Sequence, residues 1–161
     1  MAQIFQIEKW IWTDNDFDSM GWHDSRIHAL SFVPEQYEIV FDIDYIFQWI
    51  PPESNESHFK FWVAPATLVF ENIYDVEFDI ESHGGDLVID GITRKDPTKP
   101  LNAQFTGKDV DWLWVIECQE GEIRFRSSGY KQFIRAAPQL GRAQSIDLKR
   151  RGFSFARFIM E

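Results

Sequence analysis

Cysteine is almost absent. Cys118 stands alone among 161 residues, which excludes an internal disulfide framework and suits a reducing compartment, with the cytoplasm as the expected location. Long apolar runs are missing as well. Gln3, Gln6, Glu8 and Lys9 interrupt the N-terminus where a secretory signal needs a continuous apolar stretch, and no segment approaches the roughly 20 apolar residues of a membrane-spanning helix. Positive charge is scarce: 16 Lys and Arg against 26 Asp and Glu leave a net charge of −10. Nucleic acid is therefore not the expected partner, because phosphate backbones are held by clustered Lys and Arg, whereas a basic protein is favoured. Catalytic signatures are lacking too. Gly84-Gly85 has no phosphate-cradle context, and His23, His28, His58 and His83 show neither HxH nor HExxH spacing. No catalytic residue, metal or cofactor is expected.

What the chain does have is alternation. From Tyr37 to Trp49 the odd positions Tyr37, Ile39, Phe41, Ile43, Tyr45, Phe47 and Trp49 are apolar or aromatic, while Glu38, Asp42, Asp44 and Gln48 fall on even positions. A helix would scatter those carboxylates around its circumference. A strand puts them on one face and the rings on the other, so the segment is read as one long strand with an acidic outer face. Val76, Phe78 and Ile80, alternating with Asp75, Glu77, Asp79 and Glu81, form a second strand of the same kind.

Further strands are expected around these two. Residues 26 to 33 lead into the long strand through Pro34-Glu35-Gln36, and Ile50-Pro51-Pro52 opens a polar loop. Phe59 to Phe70 carries Ala64-Pro65 in its middle, which suggests an edge or a bulge where a missing N–H does no harm. Leu87 to Ile92 returns after Ser82-His83-Gly84-Gly85-Asp86, and Thr93 to Asp109 is read as a loop. Trp112 to Glu117 is apolar on both faces and hence central. Gln119-Glu120-Gly121 turns it into Ile123 and Phe125. Residues 1 to 12 lean towards strand. The part from 130 to 161 is less regular and carries much of the basic charge, through Lys131, Arg135, Arg142, Lys149, Arg150, Arg151 and Arg157. Strands recurring about every 10 residues with turns between them, and no long amphipathic helix, predict one all-β domain over residues 1–161. Its expected form is an antiparallel sheet or sandwich of about 8 to 10 strands.

Four constellations bear on chemistry. Asp14, Asp16 and Asp18 have the carboxylate spacing of a calcium loop, but Ser19 stands where Gly is needed and Ser25 where a bidentate Glu is needed. Trp22-His23-Asp24 offers a His beside an Asp, though neighbours on a strand point to opposite faces. Asp42 and Asp44 share a strand face and are read as surface charge, with Arg124 and Arg126 as conceivable cross-strand partners. Lys149-Arg150-Arg151 is read as intramolecular counter-charge.

Trp22-His23-Asp24-Ser25, then Ile27 and Leu30, the strand Phe41-Asp42-Ile43-Asp44-Tyr45, and Leu68-Val69-Phe70-Glu71-Asn72 with Asp75-Val76 carry a resemblance. Over about residues 20 to 80 the chain is similar to small bacterial β-domains with an aromatic-His-Asp motif, some of which are grouped with the immunity proteins of polymorphic toxin systems. The resemblance implies a non-enzymatic protein that neutralises a cognate toxin by binding it. The expected binding residues are Glu38, Asp42, Asp44, Glu77 and Asp79, together with Trp22, His23 and Asp24. The alternatives are a small-molecule-binding protein with an aromatic-lined cavity, or a metal-dependent enzyme using His23, Asp24 and His28.

Overall fold

The computed structural model describes residues 3–159. Among them ten strands alternate with turns and two single-turn helices: β1 Ile11–Thr13, β2 Ile27–Val33, β3 Glu38–Ile50, β4 Lys60–Glu71, β5 Tyr74–Ile80, β6 Ile89–Thr98, α1 Ala103–Thr106, β7 Asp111–Cys118, β8 Gly121–Ser127, β9 Gly129–Ile134, β10 Gln139–Gly141 and α2 Leu148–Arg151. The expected mostly-β, antiparallel architecture is what the chain adopts. One sheet runs β1-β9-β4-β3-β2, with β10 also paired to β4, and the second runs β5-β8-β7-β6.

The two layers cross steeply. β2 starts beside β6, where Arg26 bridges Val88 and the Ile27 N–H donates to the Leu87 carbonyl at 2.8 Å. It ends beside β5, where the Phe32 and Phe78 rings meet at 5.9 Å. Because β6 and β5 are opposite edges of the second sheet, β2 spans that sheet's full width. Four strands about 4.8 Å apart cover about 14 Å, the reach of four or five extended residues.

Between the layers lies an aromatic core. Ile39, Phe41, Ile43 and Tyr45 of β3 face Trp114, Ile116, Ile123 and Phe125 of the second sheet. Trp114 packs on Phe70 and Tyr130 at 5.3 and 5.6 Å, and its indole N–H donates to the Ser127 carbonyl at 3.0 Å. Ring edges thus meet ring faces, and the one polar atom of the indole is satisfied.

Several local expectations are corrected. Pro65 sits on neither an edge strand nor a bulge: β4 is continuous and central, paired with β3 throughout. Its other side is shared in sequence by β9, which pairs Ala66 to Glu71, and β10, which pairs Phe61 to Val63. Pro65 falls in the gap between them, where no ladder N–H is required, and its carbonyl accepts from the Arg135 N–H at 2.9 Å. Thr93 to Thr98 is strand rather than loop, because β6 is an edge strand with a register shift between Lys95 and Thr98 that accommodates Pro97. Of residues 3 to 12, only Ile11 and Trp12 lie in a strand, since the ladder with β9 begins at Ile11 and is extended by the Ile134 N–H, which donates to the Trp10 carbonyl at 2.8 Å; residues 1 and 2 lie outside the described residues. The alternation of β3 also breaks. A register shift between Ile46 and Gln48 turns Trp49 to the opposite face from Phe47, opposite Phe61.

Candidate functional site

The acidic face of β3 is buried. Asp42 and Asp44 are fully inaccessible and Glu38 nearly so, which corrects the expectation that they are offered to water. The C-terminal segment runs antiparallel to β3 across this face and supplies a partner at each step. The Ile146 N–H donates to Asp44 at 2.9 Å, Arg151 reaches Asp42 at 2.6 Å and Asp44 at 3.0 Å, the Ser154 N–H donates to Asp42 at 3.0 Å, and Arg157 meets Glu38 at 2.6 Å. Arg135 adds a contact to Asp42 at 2.8 Å and one to the Thr67 hydroxyl at 3.0 Å, while that hydroxyl donates to the Ala156 carbonyl at 2.6 Å. The Arg151 part of the basic cluster is therefore counter-charge within the chain. Arg124 and Arg126 are not the partners: Arg126 pairs with Asp111 at 2.7 Å, and Arg124 lies 3.8 Å from Glu122, both on the second sheet.

Burial by itself would raise the Asp42 pKa. The donors of Arg151, Ser154 and Arg135 outweigh it and hold the carboxyl below its usual range. Burial draws the Arg135 pKa down, but a guanidinium starts so high that it stays charged. The result is a sealed ionic network in which two acids meet two arginines, with His28 Nε2 2.6 Å from Asp44 completing it. His28 thus belongs to this network and not with His23 and Asp24. Since Glu38, Asp42 and Asp44 are matched by Arg135, Arg151 and Arg157, the whole charge of −10 remains for the rest of the molecule.

Glu77 and Asp79 are exposed, on a strand with only one neighbour. Among the described residues β5 pairs with β8 alone, so its outer edge carries unpaired backbone groups there. Glu77 stands opposite Arg124, and Asp79 stands opposite Glu122. Like charges directly opposite cost stability in a sheet. Phe78, between the two acids, points inward at an open corner of the sandwich and stays 44 % exposed against Phe32 at 48 %.

The motif at Trp22 splits in two. Trp22 is a core anchor: its indole N–H donates to Gln132 at 2.8 Å, and its ring meets Tyr130 edge-on at 5.6 Å, so it is not available to a partner. His23 is exposed and stacks on Trp49 with centroids 5.8 Å apart. Asp24, at φ 64°, is fixed by its N–H to the Ile89 carbonyl at 2.8 Å. Gln144 donates to its carboxylate at 2.7 Å and Gln119 at 3.4 Å. Asp90, which carries no local mark in the sequence, joins them through the pairing of residues 24 to 27 with 87 to 89, a contact between segments too distant for local patterning to show. Asp14 to Ser19 forms a short 3-10 helix whose capping box uses Thr13 and Asp16, with Asp16 also paired to Lys9. Asp16 thus serves the turn itself.

Cys118 is buried, and burial, with Glu120 and Asp90 nearby, pushes its thiol up to about 12. A groove of about 490 Å³ is lined by Ser31, Val33, Gln36, Val40, Phe155 and Arg157, with Phe155 the one aromatic residue in its wall. No helix among the described residues is long and apolar enough to cross a membrane. Compared with family models, curated proteins and solved structures, the chain finds no match in any of the three.

Proposed function

We propose that this chain is a non-catalytic β-domain that binds a basic protein, and that the docking surface is the β5 edge with Glu77, Asp79, Phe78 and Phe32. The observation that carries this reading is the edge itself. A strand paired on one side only presents two outward acids, one of them set against another acid, around a half-exposed aromatic corner. The backbone edge suits strand addition by an extended segment, the rings supply buried area, and the acids raise the encounter rate of a basic partner.

The burial of Glu38, Asp42 and Asp44 reduces the expected acidic surface to its β5 part, Glu77 and Asp79, and leaves its sign unchanged. An immunity-type role, in which the bound protein is a cognate toxin, is the form of this reading that the Trp22-His23-Asp24 resemblance supports.

The test is affinity capture with the tagged chain at low and moderate salt, comparing wild type with the Glu77→Lys/Asp79→Lys variant, followed by co-expression with the captured protein. The expected result is a basic protein held by wild type, released by salt, lost in the variant, and less harmful to cells when the wild-type chain is present. Capture indifferent to both salt and the double substitution would overturn the reading.

A further inference from the structure

His23, Asp24 and Asp90 bring one imidazole and two carboxylates to a single surface point, with one ligand-type atom from each within 4.8 Å of the others. Three features separate this group from ordinary surface charge. The first is the histidine tautomer. His23 Nδ1 lies 3.1 Å from the Asp90 carbonyl oxygen, which only accepts, so in the neutral ring Nδ1 carries the proton and Nε2 offers its lone pair. Metal-binding histidines are oriented in this way by a carbonyl behind the ring. The second is proximity: Nε2 lies 3.6 Å from Asp24 Oδ2, so a nitrogen and an oxygen ligand atom already stand side by side. The third is support. Trp49 holds the flat of the ring, Gln144 and Gln119 hold Asp24, and Asp90 sits on β6 next to the buried Ile89.

We propose that this cluster is a binding site for a divalent transition cation, Zn²⁺ foremost, ligated by His23 Nε2 and the carboxylates of Asp24 and Asp90. Mixed nitrogen and oxygen ligands suit zinc better than calcium or magnesium, which take oxygen alone. Around a tetrahedral ion with bonds of about 2.1 Å the ligand atoms stand about 3.4 Å apart, so from separations of up to 4.8 Å the group closes by at most about 1.4 Å on binding. The exposed side chains of His23 and Asp90 supply that movement. With three protein ligands, the fourth position is left to water or to a partner's side chain. The site is independent of the β5 edge, and either reading stands without the other.

The experiment is calorimetric titration of ZnCl₂ into the metal-free full-length chain, with circular dichroism to confirm that each variant is folded. His23→Ala and Asp90→Asn both alter exposed side chains, whereas Asp24 is left intact because it also holds Gln144. The expected result is one Zn²⁺ per chain, an affinity at least tenfold weaker in each variant, and no change in His58→Ala or His83→Ala. A zinc-dependent shift of the His23 ring nitrogens in long-range nitrogen–proton spectra should accompany binding. Absence of saturable binding, binding untouched by both substitutions, or binding lost instead with His58 or His83 would each overturn the site.

Discussion

Arg151 and Asp42 are 109 positions apart in the chain, and their side chains meet at 2.6 Å in a place that water does not reach. Around that contact the C-terminal segment is tied to the outer face of the first sheet. The acid on β3 is thereby turned from a candidate docking charge into the anchor of a strap.

Replacing Asp42 by Asn keeps the shape and removes the charge, which leaves Arg135 and Arg151 buried without their shared counter-ion. The expected cost is about 3–5 kcal/mol, read as a lowered urea midpoint. An apolar replacement of the acid and both arginines together should cost less than this single change, because it removes the charges that need pairing.

Acid should loosen the same strap. The Asp42 pKa in the folded chain lies below its value in an unfolded one, so the folded state binds its proton less readily. Its contribution is complete above the ordinary carboxylate range of about 4 and is lost as pH falls through the lower folded value. Melting temperature should hold steady between pH 7 and pH 5 and fall below about pH 4, with the C-terminal segment becoming open to protease. The Asp42→Asn variant should show a shallower fall. Asp16, lowered chiefly by Lys9, and Glu56, lowered chiefly by Lys60, shift in the same direction, but solvent screening keeps their share small.

Cys118 should resist thiol reagents in the folded protein at pH 8, since burial pushes its pKa up to about 12 and the thiolate is the reactive form. Labelling with a chromogenic disulfide should be slow without denaturant and complete after urea unfolding. Rapid labelling of the folded chain would show that the β6 and β7 ends open.

Gly121→Ala should destabilise by about 3 kcal/mol or more, measured by thermal or chemical unfolding. Gly121 closes the β7–β8 turn at φ +139°, and an added Cβ would lie 1.9 Å from the Asp79 carbonyl oxygen. The neighbour is backbone of β5, so the clash cannot be relieved by rotating a side chain, and the same change should disturb the proposed docking edge.

The strands were legible where one side-chain period covered a whole segment. The residues 37 to 49 showed β3, Val76 to Ile80 showed β5, and Trp112 to Glu117 showed a central strand, because alternation records which side chains face a core. Legibility failed at single residues that change the phase. The irregularity at Phe47, which sends Trp49 to the other face, has no local marker, and Pro65 marked a gap in the neighbouring strands instead of an interruption in its own. The candidate site was half visible: His23 and Asp24 stood out as adjacent residues, but Asp90, Gln119 and Gln144 reach them only through sheet pairing and the strap.

By itself, the order of residues determined the class of structure, the inner face of each main strand and the sign of the overall charge, because periodicity and composition are local or additive properties. Only the tertiary structure decided which acids are sealed by arginine and which meet water. That outcome depends on where a tail more than a hundred residues downstream comes to lie. A carboxylate on the outer side of a strand looks the same in sequence whether solvent or a guanidinium stands over it.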